Sequence, residues 1–258
     1  MKKVIYTIIS ITILTACKKE SSNPTNNSTT NSNSTNPVTC IDNPNINFTC
    51  VGTPIGKFSD CIKDVDGNTY KTVTIGTQTW MAENLKTSKY NDGTSIPNVT
   101  DAKQWTELTT GAWCNYNNSD SLGKIYGKLY NWFAVSPTTN GNKNVCPSGW
   151  HVPSVNEINI LREYLGGESL AGITMKEIGF LNWNSPNEFA SNTSLFTAIP
   201  CGGRVHDGIY GGIGVSYCFW SSTMENQAWS YYLNYKDDDL SDSYTYLSNG
   251  FSIRCIKD

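Results

Sequence analysis

The stretch from Met1 to Cys17 constrains everything downstream, because it sets the compartment in which the chain folds. Lys2 and Lys3 form a short basic head, Val4 to Leu14 is an apolar run broken by hydroxyls and a tyrosine, and Leu14-Thr15-Ala16-Cys17 follows. A run this short cannot span a bilayer as a permanent helix, but it fits the h-region of a secretory signal. The Leu-x-small-Cys tetrapeptide has the form of a bacterial lipobox, in which the cysteine thiol is diacylated and the signal is cut before it. Residues 1–16 are therefore expected to be a lipoprotein signal peptide, with Cys17 the lipidation site. Two or three acyl chains hold a protein stably where one holds it only marginally. The expected localisation is the cell envelope, lipid-anchored at the outer membrane, with periplasmic face and cell surface both open.

An exported chain folds where thiols are oxidised, and this one carries 9 cysteines. With Cys17 set aside, positions 40, 50, 61, 114, 146, 201, 218 and 255 form an even set that reads as a disulfide framework. No pair has C-x-x-C spacing, and His151 and His206 are the only histidines, so no metal site is expected. Without the signal, 17 basic side chains (19 less Lys2 and Lys3) face 22 acidic ones, a formal −5. A mildly acidic surface without a basic patch argues against nucleic acid and anionic headgroups as partners. Charged residues are only 16%, while Trp (8) and Tyr (14) are abundant. That balance describes an extracytoplasmic, β-rich domain with long polar loops rather than a helical cytosolic enzyme.

Residues 18–39 offer no apolar side chain before Val38 to offset the entropy of ordering. With Cys17 they read as a flexible Ser/Thr/Asn linker, 17–39, spanning roughly 25 Å root-mean-square. Residues 40–60 hold Cys40 and Cys50 and few large apolar groups, which describes a small arm leaning on a larger body. That body, 61–258, is long enough for one substantial core.

Strand patterns dominate it. Asp66-Gly67 between Ile62–Val65 and Tyr70–Ile75 reads as a hairpin turn, and Gly76-Thr77 turns the chain into Gln78–Met81. Trp229, Tyr231, Leu233 and Tyr235 alternate on one strand, and Phe251, Ile253 and Cys255 on another. The clearest helix begins after Pro153, where Ser154 can cap Glu157 and Glu157 can reach back. Val155, Ile158, Leu161 and Leu165 share its inner face, and Gly166-Gly167 ends it. A second helix is expected over 169–178, and a short one after Thr100 or Asp101 that buries Trp105 and Leu108. Two or three modest helices among short antiparallel strands and long loops describe an α+β domain.

Asp64-Val-Asp-Gly-Asn-Thr-Tyr70 and Val73-Thr-Ile-Gly-Thr-Gln-Thr-Trp80-Met-Ala-Glu-Asn-Leu85 resemble the opening of the Fibrobacter succinogenes major paralogous domain. So do Tyr126-Gly-Lys-Leu-Tyr-Asn-Trp-Phe-Ala134, Cys146-Pro-Ser-Gly-Trp-His-Val-Pro153, Phe219-Trp-Ser-Ser-Thr223 and Gly250-Phe-Ser-Ile-Arg-Cys-Ile-Lys-Asp258, in the family's order. The resemblance implies a secreted or lipid-anchored protein of the kind found in Bacteroidetes and their relatives, and no particular chemistry. His151-Val-Pro-Ser154 to Glu157 and the closing Gly-Phe-x-x-Arg run carry a more distant likeness. It implies a C-type-lectin-like fold with disulfides, shared with formylglycine-generating enzymes, and fold alone transfers no function. Cys61, Cys201 and Cys218 look like local additions to the family pattern. Cys201 and Cys218 stand where related domains carry glycine or an aromatic, which implies an added Cys201–Cys218 staple rather than a copper site. A Cys146–Cys255 bridge would tie the helix entrance to the last strand; Cys40–Cys50 and Cys61–Cys114 follow by elimination.

No catalytic constellation stands out, and no enzyme is expected. His151 is expected to pack or bond to backbone at its helix entrance. His206 and Asp207 are expected to serve a loop, since adjacent residues rarely face each other usefully. The glycines from 202 to 214 lack the strand–loop–helix setting of a phosphate cradle. Asp237-Asp238-Asp239 would need alternate ligands and carbonyls to cage calcium; calcium is a candidate there, and no other cofactor is expected. Loops at 113–120, 182–188 and 235–246 make Trp113, Tyr116, Trp183, Asn187, Tyr235 and Asp238 candidate ligand-binding residues. Rings of this kind stack on sugar faces, while amides and carboxylates bond hydroxyls. Asp120-Ser121-Leu122 resembles a Bacteroidetes O-glycosylation signal, which makes Ser121 a candidate for modification. The expectation is a non-catalytic binding module for polysaccharide or a surface protein. A structural component of the envelope and an unrecognised hydrolase are the alternatives.

Overall fold

The computed structural model describes residues 43–258; the expected signal peptide, Cys17, the linker and Cys40 lie outside the described residues. The first strands, β1 (Lys57–Lys63), β2 (Thr69–Ile75) and β3 (Gln78–Met81), are antiparallel neighbours. Next come α1 (Ala102–Thr106), β4 (Trp113–Cys114), α2 (Asp120–Tyr126), β5 (Leu129–Tyr130), α3 (Trp132–Val135) and β6 (Trp150–His151). Helices α4 (Val155–Tyr164) and α5 (Glu168–Met175) precede a long loop. The chain then forms β7 (Cys201–Arg204), β8 (Tyr210–Ile213), β9 (Ser216–Met224), β10 (Ala228–Asn234), β11 (Ser241–Thr245) and β12 (Ile256–Lys257). Two five-stranded sheets result, ordered β1-β2-β3-β12-β6 and β11-β10-β9-β7-β8, with a β4-β5 ribbon beside them. Pairing is antiparallel except between β7 and β9. This is the expected α+β class, with five α-helices among the described residues rather than two or three.

The β1–β2 hairpin turns at the expected place because Asp64 organises it. Its Oδ1 accepts the backbone N–H groups of Asp66 (3.0 Å) and Asn68 (2.9 Å), and its Oδ2 accepts the Tyr70 hydroxyl (2.5 Å). Gly67 takes the left-handed conformation (φ +89°) that a Cβ would oppose. Strand β1 begins at Lys57, opposite Thr74, so the body starts before residue 61, inside the segment read as an arm. The rest of that arm runs along the loop after α5. The N–H groups of Val51 and Ile55 donate to the carbonyls of Ser191 (2.8 Å) and Thr193 (2.7 Å).

Helix α4 carries the full reciprocal cap, Ser154 to the Glu157 N–H and the Glu157 carboxylate back to the Ser154 N–H. Asp101 caps α1, and Trp105 is buried with its indole N–H on the Ser248 carbonyl at 2.7 Å. Helices α2 and α3 escape a periodicity reading because they are only 7 and 4 residues long; the side chains of Ser119 and Asn131 cap them.

Three apolar clusters fill the interior. The largest lies beneath α4 and includes Trp80, Ile158, Leu161, Phe196, Tyr217, Phe219, Tyr231 and Leu233. Arg254, fully buried, bridges its edge. The guanidinium donates to Asn84 Oδ1 (2.8 Å) and to the Phe196 carbonyl, with its carbon 4.3 Å from the Phe196 ring centre. A buried guanidinium is tolerable only when its donors are met, so the closing Ser-Ile-Arg-Cys block is a scaffold element.

The Cys146–Cys255 bridge is formed. It ties the approaches to β6 and β12, which are neighbours in the first sheet, with Ile256 opposite His151. The Cys201–Cys218 staple is not: both thiols are free. Backbone pairing already joins their strands, and the thiols meet different groups. Cys201 faces the carbonyls of Gly202 (3.5 Å) and Cys218 (3.8 Å), whereas Cys218 faces the Ser216 hydroxyl (3.8 Å). The Cys61–Cys114 pairing is likewise corrected. Cys114 is a free, buried thiol in the third cluster, on β4, while Cys61 sits on the edge strand β1 and is disulfide-bonded. Cys50 is also disulfide-bonded; the Cys40 half of the expected Cys40–Cys50 pair lies outside the described residues.

Candidate functional site

Most of the residues expected to meet a ligand have structural partners instead. Trp183 is only 1% exposed and donates its indole N–H to the Ala198 carbonyl at 2.9 Å. Tyr116 is buried against Tyr210, ring centres 5.3 Å apart. Asn187 is buried and closes its own loop, donating to the carbonyls of Glu177 (3.0 Å) and Gly179 (2.9 Å). Trp113 is half-buried, with its N–H on the Ile96 carbonyl and the Lys128 ammonium 4.3 Å over its ring. Tyr235 packs on the largest cluster. The rings are spread over all three clusters, Trp183 and Tyr235 in the largest, Trp113 against the second and Tyr116 in the third. Ring-rich loops looked like a site because a loop aromatic and a core aromatic are the same letter.

The acidic loop at 237–239 also differs from expectation. The fully buried Lys176 reaches into it: the ammonium donates to Asp237 O (2.7 Å) of the loop, and to Glu188 O (3.1 Å) and Asn234 O (3.4 Å) outside it, and lies 3.9 Å from Asp238 Oδ1. A cation of the chain's own thus stands where calcium was a candidate. Among the described residues no group of three or more His, Cys, Asp or Glu side chains is placed to hold a metal.

His151 bonds to carboxylates rather than backbone. Nδ1 lies 2.6 Å from Asp258 Oδ1 and Nε2 lies 2.8 Å from Glu157 Oε1. Burial opposes its charge, but the bonds to Asp258 and Glu157 outweigh that and raise its pKa above 6.5. Burial likewise works against the Glu157 charge, and the bonds from Ser154 and His151 overcome it, lowering the carboxyl below 4.5. The ring is a clasp between the α4 cap and the last residue, with both nitrogens occupied. Two shallow grooves of about 250 and 270 Å³ flank this region, one lined by Lys63, Asp64, Thr87 and Asn91, the other by Asn142, Lys143, His151 and Ser222. Asp64 in the first gives both oxygens to its own hairpin. Ser121, in the first turn of α2, is exposed and bonded to the Ser119 hydroxyl at 2.8 Å.

The surface that does gather unburied rings lies on the outer edge of the second sheet. On β10, Tyr231 and Leu233 point into the core, and Trp229 shares their face by alternation. Trp229 is paired across the ladder with Tyr244 of edge strand β11, ring centres 4.0 Å apart. Tyr244 and Tyr246, two residues apart, are 46% and 61% exposed. Tyr246 stacks on the exposed His206 at 4.2 Å and 29°. Two ring pairs, Trp229–Tyr244 and Tyr246–His206, therefore follow one another along the chain from β11 as an aromatic row. Desolvation raises the Tyr244 phenol above its usual pKa, aided by its 3.0 Å bond to Glu225. Asp242, on the same face, is ion-paired to Arg162 at 2.8 Å. The Ser-Asp-Ser-Tyr-Thr-Tyr run did hold a signal: two aromatics at strand spacing in a segment with no other apolar residue, hence with no core to enter.

The Fibrobacter succinogenes major domain matches residues 73–257. The chain belongs to this family. No curated protein and no solved structure matches it. The family match begins inside β2, yet β1 is hydrogen-bonded along β2, so the folded unit of this Fibrobacter succinogenes major domain protein is longer than the matched span. The aromatic row lies wholly within the matched span, and Arg254 is part of its closing block.

Proposed function

We propose that the chain is a lipid-anchored, non-catalytic binding module of the cell envelope, with a lectin-like domain tethered to the outer membrane by the 17–39 linker. The observation that supports it best is the Trp229–Tyr244–Tyr246–His206 row, a ready stacking surface on a rigid sheet rim. A linear arrangement suits an extended polymer better than a small molecule, which would call for a concave pocket. Glu225 beside Tyr244 and Asp207 beside His206 disfavour polyanions, so the ligand class is a neutral polysaccharide. A second reading has its own support: β11 is a sheet edge, where the strand of an envelope protein could add.

The test is binding of the full chain to a panel of neutral and acidic polysaccharides, with calcium and with chelator, alongside Tyr246→Ala and His206→Ala. Saturable binding to a neutral polymer, insensitive to chelator and weakened about tenfold by either substitution, is the expected result. A blank panel, or binding that ignores both substitutions, would remove the aromatic row from the reading.

A further inference from the structure

The loop that follows α5 carries a second exposed apolar feature, separate from the aromatic row. Phe180, Leu181 and Phe189 are 64%, 59% and 70% exposed. They are drawn into one small projection by the Asn187 side chain, which donates to the Gly179 and Glu177 carbonyls and so joins the two limbs of the loop. Lys176 anchors the returning limb at the Glu188 carbonyl. Three large side chains held out on a closed, hydrogen-bonded loop cannot be ascribed to a slack segment, and exposed apolar groups gathered in one place mark a contact surface.

The course of the chain says what that contact is. The Asn182 side chain, next to Leu181, donates to the Asn45 carbonyl at 2.9 Å, and the Asn47 N–H donates to Glu177 Oε1 at 2.6 Å. The described structure begins at Asn43, so the segment running back to Cys17 leaves the domain beside this projection. Between Cys17 and Asn43 the chain can stretch no further than about 90 Å, and its coiled span is far shorter. A tether attached at that corner makes it the part of the domain closest along the chain to the anchor. We infer that Phe180, Leu181 and Phe189 dip into the lipid interface, orienting the domain on the membrane that holds its anchor; this rests on the lipid-anchor reading given above. Glu188 lies between Asn187 and Phe189, and the acidic 237–239 loop meets the same Lys176 ammonium, so the surface that fits is zwitterionic rather than anionic. With both ends of the loop fixed, apolar contact costs little further ordering.

The experiment uses the full acylated chain on phosphatidylcholine vesicles, with Phe180→Trp and Leu181→Trp as reporters and the wild-type emission subtracted. The added tryptophan is expected to be quenched at least twofold by brominated phosphatidylcholine and shielded from acrylamide. Quenching by acrylamide but not by bromolipid would overturn the proposal, because the loop would then lie in water. Shielding from both quenchers would also overturn it, by placing protein, such as a second copy, over the loop. Intact mass of the same sample reports the acyl group at Cys17 independently, so a missing anchor and a loop left in water are distinguished.

Discussion

Replacing Cys146 and Cys255 together by alanine probes the most consequential covalent feature of the fold. The bridge closes a segment with a sequence separation of 109. Chain-entropy arithmetic for a loop of that length gives about 4–5 kcal/mol of stabilisation at 25 °C, by restricting the unfolded chain. Both residues are fully buried in the cluster that holds Trp132, Trp150 and Trp220, so trimming the sulfurs adds about 1 kcal/mol of lost packing. Cys50 and Cys61 are bonded outside the 146–255 span, since Cys201 and Cys218 within it are free, and so do not shorten this loop. Removing both cysteines avoids stranding a thiol. Guanidinium unfolding followed by tryptophan fluorescence, without reductant, should show a loss of about 5 kcal/mol and a rise in the denaturant slope, because the unfolded chain exposes more surface. Since 1 kcal/mol moves the melting temperature by roughly 2–4 °C in a domain of this size, a drop of about 10–20 °C is expected. A loss below about 1 kcal/mol with an unchanged slope would refute the reasoning, because it would mean that the unfolded chain is no freer without the bridge.

Two further perturbations test the polar anchors. The folded-state pKa of His151 is raised above 6.5, so its contribution is complete below about pH 6.5 and is lost as pH climbs through the folded value. Glu157, lowered below 4.5, contributes above that pH and loses its share as pH falls through its folded value, so the clasp is strongest between about 4.5 and 6.5. The melting-temperature difference between wild type and His151→Gln should peak in that window and shrink toward pH 8; a difference that is flat with pH would rule the clasp out. Lys176→Met removes a fully buried ammonium and leaves the Asp237 and Glu188 carbonyls unmet, which should cost about 2–4 kcal/mol in urea unfolding. Millimolar calcium should not alter the wild-type midpoint, and a calcium-induced rise would make the loop a metal site after all.

What could be read from the sequence was what short-range chemistry decides. Ser154 and Glu157 cap α4 from three residues apart, and Asp64, Asn68 and Tyr70 close their hairpin within one turn. Neither needs distant chain to be in place. The family blocks were legible for a related reason, since each holds a buried anchor such as Trp80, Trp220 or Arg254 with a fixed local setting. The thiols were not. Whether Cys201 and Cys218 pair depends on which groups face them across β7 and β9, and that follows from a parallel register no local pattern encodes.

The candidate site failed to appear in the sequence for the same physical reason, carried one step further. Trp183 and Tyr246 both sit in polar surroundings, and chain chemistry gives either ring equal claim to a ligand. The fold separates them. Trp183 finds the Ala198 carbonyl and a place in the largest cluster, whereas Tyr246 follows an edge strand with no sheet beyond it and finds only His206. An aromatic becomes available to a partner when the elements around it run out, and where a sheet runs out is decided by strand order. By composition β11 reads as part of the 235–246 loop, with Ser, Asp and Ser ahead of Tyr244 and Thr245 after it, and its pairing with β10 is what turns that loop into a rim. Buried Lys176 makes the converse point: a residue type nearly always placed outside lies within, because loops distant in sequence supply the carbonyls that make its charge tolerable. Loop composition alone therefore overstates a binding site where rings are buried and understates one where they sit at an edge, and strand order decides between the two cases.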